Sequence, residues 1–230
     1  MLISPQNLTD PVNHVRYQID RAAEAAGRAP KSVTLVAVTK GKSAEIIRQA
    51  ATAGVTDFGE NYLKEALPKL AQLVDLPLTW HFIGQIQSNK TRPIAESFDW
   101  VHSVDRLGVA IRLSEQRPYH APPLNVCIQV KLAEEAGKGG LTPEALPALA
   151  QAIAPLPRLR LRGLMCVPSP QPDPAAERAV FSRLRGLREQ LNAGGLQLDT
   201  LSMGMSADFE SAIAEGATLV RIGTALFGAR

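Results

Sequence analysis

The chain has 230 residues, 45% of them hydrophobic, with a formal net charge of +3 and two cysteines. That is enough apolar material for a sizeable core, but the basic residues form no concentrated patch of the kind a nucleic-acid face needs. Cys127 and Cys166 stand in apolar runs without metal-ligand spacing, so they read as buried free thiols rather than a disulfide framework.

The N-terminus, MLISPQNLTDP, lacks the basic region and apolar core of a signal peptide, and no apolar run approaches the length of a membrane span. The expectation is a soluble, cytoplasmic protein with no membrane partner. The first amphipathic stretch predicts a helix over residues 10–27. Strand-like runs then recur at 33–40, 57–61, 80–84 and 100–105, and again at 124–132, 160–168, 200–206 and 219–228. Several are near-continuously apolar, as suits parallel strands covered on both faces. Between them lie helical patterns. SAEIIRQAATAG begins on Ser43 as a cap and stops at Gly54, and TPEALPALAQAIA offers Thr142 as a cap with Pro143 at the first helical position. AERAVFSRLRGLREQLNAGG also stops on glycine. PSPQPDP (168–174) reads as a stiff loop.

Eight strands alternating with helices predict an α/β fold of the (β/α)8 barrel type, one domain over residues 1–230. An open doubly wound sheet usually carries fewer strands and a glycine-rich first turn, which this chain lacks. Only GAR follows the last strand, so an eighth helix is expected to be missing, with the extra N-terminal helix covering the gap.

In such barrels the active site lies at the C-terminal ends of the strands. The first strand ends in VAVTKGKS. Gly41-Lys42-Ser43 matches the end of a phosphate-binding P-loop, but the first glycine of that motif would fall on Val36, inside a β-branched run. The alternative is a strand ending on a reactive lysine, Lys40. Lys42 reads as a solvated loop charge. After the seventh strand comes GMSADFESAIAEG, with Gly204 permitting close backbone approach and Ser206 placed to cap a helix. After the eighth comes RIGTA, with Gly223 and Thr224. Barrels often bind phosphate with these two loops. A phosphate site plus a strand-end lysine points to a phosphorylated aldehyde held as a Schiff base, with pyridoxal 5′-phosphate the natural candidate. Arg221, just before the last turn, reads either as a salt-bridged strand residue or as the group that would face a pyridine nitrogen and keep it neutral.

The motifs AVTK (37–40), FGENY (58–62), WHFIGQIQSNK (80–90), RGLM (162–165), LSMGMSADFE (201–210) and VRIGTALFG (220–228) cover nearly the whole chain. Together they closely resemble the pyridoxal phosphate homeostasis proteins, relatives of the alanine racemase N-terminal barrel. The resemblance implies that Lys40 forms the aldimine with the cofactor. It implies that Ser206, Gly223 and Thr224 hold the phosphate with the backbone near Met205. Arg221 would face the ring nitrogen and Asn61 would lie close by. His81, flanked by Trp80 and Phe82, reads as a core residue, and Tyr62 as helix-start packing. The implied function is to hold pyridoxal 5′-phosphate without robust turnover and to deliver it to apo-enzymes. The alternative is an amino-acid racemase, which needs a base on each face of the substrate. Racemases of this type take the second base from a partner subunit positioned by an extra β-domain, and residues beyond Arg230 would be needed for one, so a monomeric carrier is favoured. A phosphosugar enzyme would need an acid–base pair, and neither Glu60 nor Asp105 is marked as one. Lys42 and Lys138 are the other lysines a second adduct would use.

Overall fold

The computed structural model of the protein describes residues 8–132 and 139–228, and Lys138 lies outside them. Eight parallel strands close into a barrel in sequence order. They are β1 (Thr34–Val38), β2 (Asp57–Glu60), β3 (Thr79–Phe82) and β4 (Trp100–Val104), followed by β5 (Leu124–Gln129), β6 (Leu159–Met165), β7 (Thr200–Ser202) and β8 (Leu219–Ile222). Closure is made by β8 on β1, with Leu35 opposite Val220 and Ala37 opposite Ile222. The central residues of β1, Leu35 to Ala37, are buried, which is why the run is apolar without alternation. Every strand stops short of its predicted C-terminal limit, and residues just past the strand ends, among them Lys40, Asn61 and Met205, line the barrel mouth.

The helices among the described residues are α1 (Thr9–Ala25), α2 (Ala44–Thr52), α3 (Leu63–Gln72), α4 (Thr91–Ser97) and α5 (Leu107–Gln116), then α6 (Leu146–Ile153), α7 (Pro174–Ala193), α8 (Phe209–Ala214) and α9 (Thr224–Phe227). Ser43 caps α2 by accepting from Ile46 N at 3.4 Å. Thr142 and Pro143 start a 3-10 turn that leads into α6, but the Thr142 side chain makes no capping bond to the backbone. PSPQPDP is loop only in part. Asp173 Oδ1 accepts from Ala176 N at 2.9 Å and Pro174 takes the first helical position, so its last two residues start α7.

The end of the chain corrects another expectation. The run 219–228 is not one strand: β8 stops at Ile222, and the carbonyl of Gly223 accepts from Leu226 N and Phe227 N. This closes the single turn of α9, so the eighth helix is shortened rather than missing. The N-terminal helix covers the remaining surface. Its buried residues Val12, Val15, Ile19 and Ala23 follow helical spacing, and α1 packs against α8 and α9. Arg28, just past α1, donates to the carbonyls of Ile213 (3.2 Å) and Ala217 (2.7 Å), fixing that contact.

One glycine in the family motif is dictated by close approach. A Cβ on Gly84 would lie 1.9 Å from the carbonyl oxygen of Asn61, a backbone atom that cannot yield like a flexible side chain. Gly84→Ala is therefore expected to push the Asn61 backbone aside and destabilise the protein by on the order of 3 kcal/mol. Urea denaturation checks this, and an unchanged midpoint would show that the β2 and β3 loops do not need this contact.

Candidate functional site

Two buried polar groups hold the start of the site. Glu60, the last residue of β2, is fully buried. Its Oε1 accepts from Lys69 Nζ at 2.7 Å and from Thr39 Oγ1 at 2.6 Å, while Lys69 Nζ also donates to the Thr39 carbonyl at 2.9 Å. Thr39 is thus tied by both hydroxyl and carbonyl, which fixes the backbone directly before Lys40. Gly41 then takes φ +72°, where glycine has no steric penalty, and its N–H donates to Glu65 Oε2 at 2.9 Å. Lys40, half-buried, comes off this turn at the barrel mouth with its Nζ 5.5 Å from the centre of the Tyr62 ring. Tyr62 is 53% exposed, so it is a cover for the lysine rather than the packing residue predicted.

The loops at the C-terminal ends of the strands enclose a cavity of about 580 Å³. All seven residues singled out from the sequence line it: Lys40, Asn61, Met205, Ser206, Arg221, Gly223 and Thr224. A comparable surface recess of about 670 Å³ beside α1 and α8 contains none of them. Among the described lining residues of the mouth cavity there are three cations, Lys40, Lys42 and Arg221, and no carboxylate. Such a lining favours an anionic ligand.

Three details differ from the sequence reading. Lys42 is not a free solvated charge: it lines the cavity and its Nζ donates to the carbonyl of Phe227 at 2.9 Å, at the end of α9. Ser206 does not cap α8. Asp208 occupies the cap position, and its Oδ1 accepts from Met205 N at 2.6 Å, which draws residues 205–208 into a tight turn. Burial raises the Asp208 pKa, and the bond from Met205 only partly offsets it. Turned away from α8, Ser206 Oγ accepts instead from Ala225 N in α9 at 3.3 Å, so one hydroxyl joins the two loops that were each expected to contribute to the site.

Arg221 lies on β8 and is buried. Its Nη1 donates to Ser202 Oγ at 2.7 Å and its Nη2 to the carbonyl of Cys166 at 2.8 Å. Burial lowers its pKa, yet a guanidinium keeps its charge at neutral pH. Cys127 and Cys166 are buried free thiols, as expected, and burial pushes each up to about 12. Neither is a thiolate nucleophile at neutral pH.

Sequence reasoning missed what stands behind Arg221. Ser202 Oγ is 2.7 Å from His102 Nδ1, His102 Nε2 is 2.9 Å from His81 Nδ1, and His81 Nε2 is 3.0 Å from Asp57 Oδ1. His81 is buried, as predicted, but as part of a polar chain rather than an apolar cluster. The available signal was the pair His102-Ser103 inside an otherwise apolar strand, where a polar side chain must find partners.

Comparison with known proteins agrees with this architecture. Residues 12–230 match the family model of the alanine racemase N-terminal domain. A pyridoxal phosphate homeostasis protein of Pseudomonas aeruginosa is 63% identical over 223 residues, covering 97% of this chain and 96% of that one. The structure of PipY from Synechococcus elongatus PCC7942 with pyridoxal phosphate bound is 42% identical. It superposes with a TM-score of 0.81 over 92% of this chain and 100% of that one. Alanine racemase from Corynebacterium glutamicum shares the fold at 17% identity and a TM-score of 0.69, this chain spanning 62% of its length. With the barrel, the lysine at the end of its first strand and the paired loops after its last two all in place, the chain belongs to the alanine racemase N-terminal domain family and, within it, to the pyridoxal phosphate homeostasis proteins.

Proposed function

We propose that the protein binds pyridoxal 5′-phosphate in the mouth cavity and serves intracellular homeostasis of this cofactor as a cytoplasmic, monomeric carrier without robust turnover. The observation that carries the reading is that Lys40, Asn61, Met205, Ser206, Arg221, Gly223 and Thr224 all line one cavity with three cations and no carboxylate among its described lining residues. The donor set fits the cofactor. A phosphate needs hydroxyl and backbone donors, which Ser206, Gly223 and Thr224 offer from two adjoining loops joined by the Ser206–Ala225 bond. An aldehyde needs an amine, which Lys40 supplies on an anchored turn. A ring nitrogen kept unprotonated needs a cation beside it, which Arg221 supplies. Asn61, held against Gly84, lines the remaining side.

Bound there, the cofactor supplies a reactive aldehyde and an electron-withdrawing ring. The protein's residues restrain that chemistry. A fixed guanidinium, in place of a carboxylate, keeps a proton off the ring and weakens its pull on electrons. Racemisation also needs two bases. Lys40 would be one, and the other amine on the described lining, Lys42, is engaged by the Phe227 carbonyl.

The test is a transfer assay. The loaded protein mixed with an apo pyridoxal-phosphate enzyme is expected to restore that enzyme's activity while its own absorbance falls. In parallel, alanine incubated with the loaded protein in heavy water is expected to keep its α-hydrogen over many protein equivalents. Rapid exchange with inversion would replace the carrier reading with the racemase.

A further inference from the structure

The polar chain behind Arg221 crosses the barrel interior. It starts at Asp57, the first residue of β2, passes through His81 on β3 and His102 on β4, then reaches Ser202 on β7 and Arg221 on β8. His81, His102 and Ser202 are fully buried. Asp57 is partly open, with its side chain 20% exposed, and it lines a recess of about 440 Å³ with Arg16, Asp20, Lys31 and Thr56. Asp57 begins its strand and Arg221 lies near the end of its own. The two ends of the chain therefore face opposite mouths of the barrel.

The chemistry of the ends decides how the protons lie between them. Arginine has donors and no acceptor, so Arg221 Nη1 must donate to Ser202 Oγ. An ionised carboxylate has acceptors and no donor, so His81 must present Nε2–H to Asp57. From the other end, the Ser202 proton needs His102 Nδ1 as its acceptor, so a neutral His102 carries Nε2–H, and His81 Nδ1, which receives it, is a lone pair. Every donor and acceptor is satisfied in this order. Reversing it would aim a histidine lone pair at the Asp57 carboxylate and leave the Ser202 proton without an acceptor along the chain. The Asp57 carboxyl is favoured in its ionised form: burial alone would raise its pKa, but the hydrogen bonds from His81 and from Thr56 Oγ1, the latter at 2.7 Å, outweigh it. His102 is held neutral chiefly by burial, and the nearby Arg221 charge acts in the same direction. The ring of Trp100 stacks on His81, with centroids 5.7 Å apart, which fixes the imidazole plane.

We infer that Asp57, His81, His102 and Ser202 form a one-directional hydrogen-bond relay that positions the Arg221 guanidinium at the ligand cavity, with Asp57 at the far mouth setting its direction. These are positioning residues. None of them lines the cavity, and each acts through the next. That Arg221 meets the cofactor rests on the function proposed above. The relay itself does not, and the experiment separates the two.

Imidazole nitrogen resonances of the ligand-free, 15N-labelled protein at neutral pH read the tautomers directly. Both buried histidines are expected as Nε2–H with bare Nδ1. In Asp57→Leu, which removes the terminal acceptor, His102 is expected to gain a substantial Nδ1–H population and the Arg221 guanidinium resonance to shift. Asp57→Asn, whose carbonyl can still accept, is expected to restore the original tautomer. Should Asp57→Leu fail to fold, Ser202→Ala tests the other end, with the change read at His81, two links away. A wild-type His81 or His102 carrying its proton on Nδ1 would overturn the inference, as would a folded Asp57→Leu protein with His102 unaltered. With pyridoxal 5′-phosphate added, Ser202→Ala is expected to raise the dissociation constant about tenfold and to shift the bound absorbance. An altered tautomer with an unmoved Arg221 resonance would refute positioning. Failure of the wild-type protein to bind the cofactor would remove the proposed function and leave the relay standing.

Discussion

Lys40→Ala is expected to lose the long-wavelength absorbance of lysine-bound pyridoxal 5′-phosphate completely and to yield no borohydride-stable adduct at position 40. In the proposed function the Lys40 amine is the group that would bond covalently to the aldehyde, and no other free amine stands in its place. Non-covalent binding should survive in weakened form, because the Ser206, Gly223 and Thr224 donors and the Arg221 charge are untouched. Peptide mapping after borohydride is the check. Lys42 gives the experiment its edge, since it lines the same cavity. Its Nζ is committed to the Phe227 carbonyl, so it should stay unmodified in the variant. A full-strength adduct transferred to Lys42 would show that the tether is weaker than its geometry, and that either lysine can serve.

Lys69→Met is expected to have the largest effect on stability. The substitution keeps most of the side-chain volume but strips the cation from Glu60, whose carboxylate is fully buried and whose second oxygen has no hydrogen-bond partner among the described residues. Breaking a buried pair by removing one partner costs ~3–5 kcal/mol, because the remaining charge is stranded. Thermal or urea unfolding should show a loss of that order. Adding Glu60→Leu should recover much of it, since an apolar pair of similar volume carries no stranded charge. A single variant as stable as the wild type would mean that the charge is relieved by water or by protonation. Cofactor binding should weaken along with stability, because Lys69 and Glu60 together hold Thr39 in front of Lys40.

Much of this could be read along the chain, and the reason is physical. Barrel strands are buried on both faces, so β1 and its counterparts announce themselves as apolar runs. Their C-terminal ends face the barrel mouth, so Lys40, Arg221 and the two glycine turns stand out by position, while Asn61 is singled out from the other strand-end residues only by the family resemblance. What stayed hidden depends on contacts between distant residues. Ser202 and His102 are 100 positions apart and meet across the barrel. Lys42 meets a carbonyl 185 positions away. Ser206 was assigned to the nearer helix because local spacing favours a cap, but Asp208 is better placed for α8, and the hydroxyl serves α9 instead. Residues 224–227 show a related limit: Thr224 and Phe227 suit a strand, Ala225 and Leu226 suit a helix, and the turn at Gly223 decides for the helix.

The short α9 has a practical side. Gly228 lines the cavity with φ +73°, and Phe227 just before it is pinned by Lys42. Any peptide appended behind Gly228 therefore sets out from the rim of the ligand chamber. A side chain at position 228 strains that positive-φ turn beside the Lys42 contact, so Gly228→Ala is expected to loosen the rim. That variant is expected to bind the cofactor more weakly than the wild type, which a titration followed by absorbance checks.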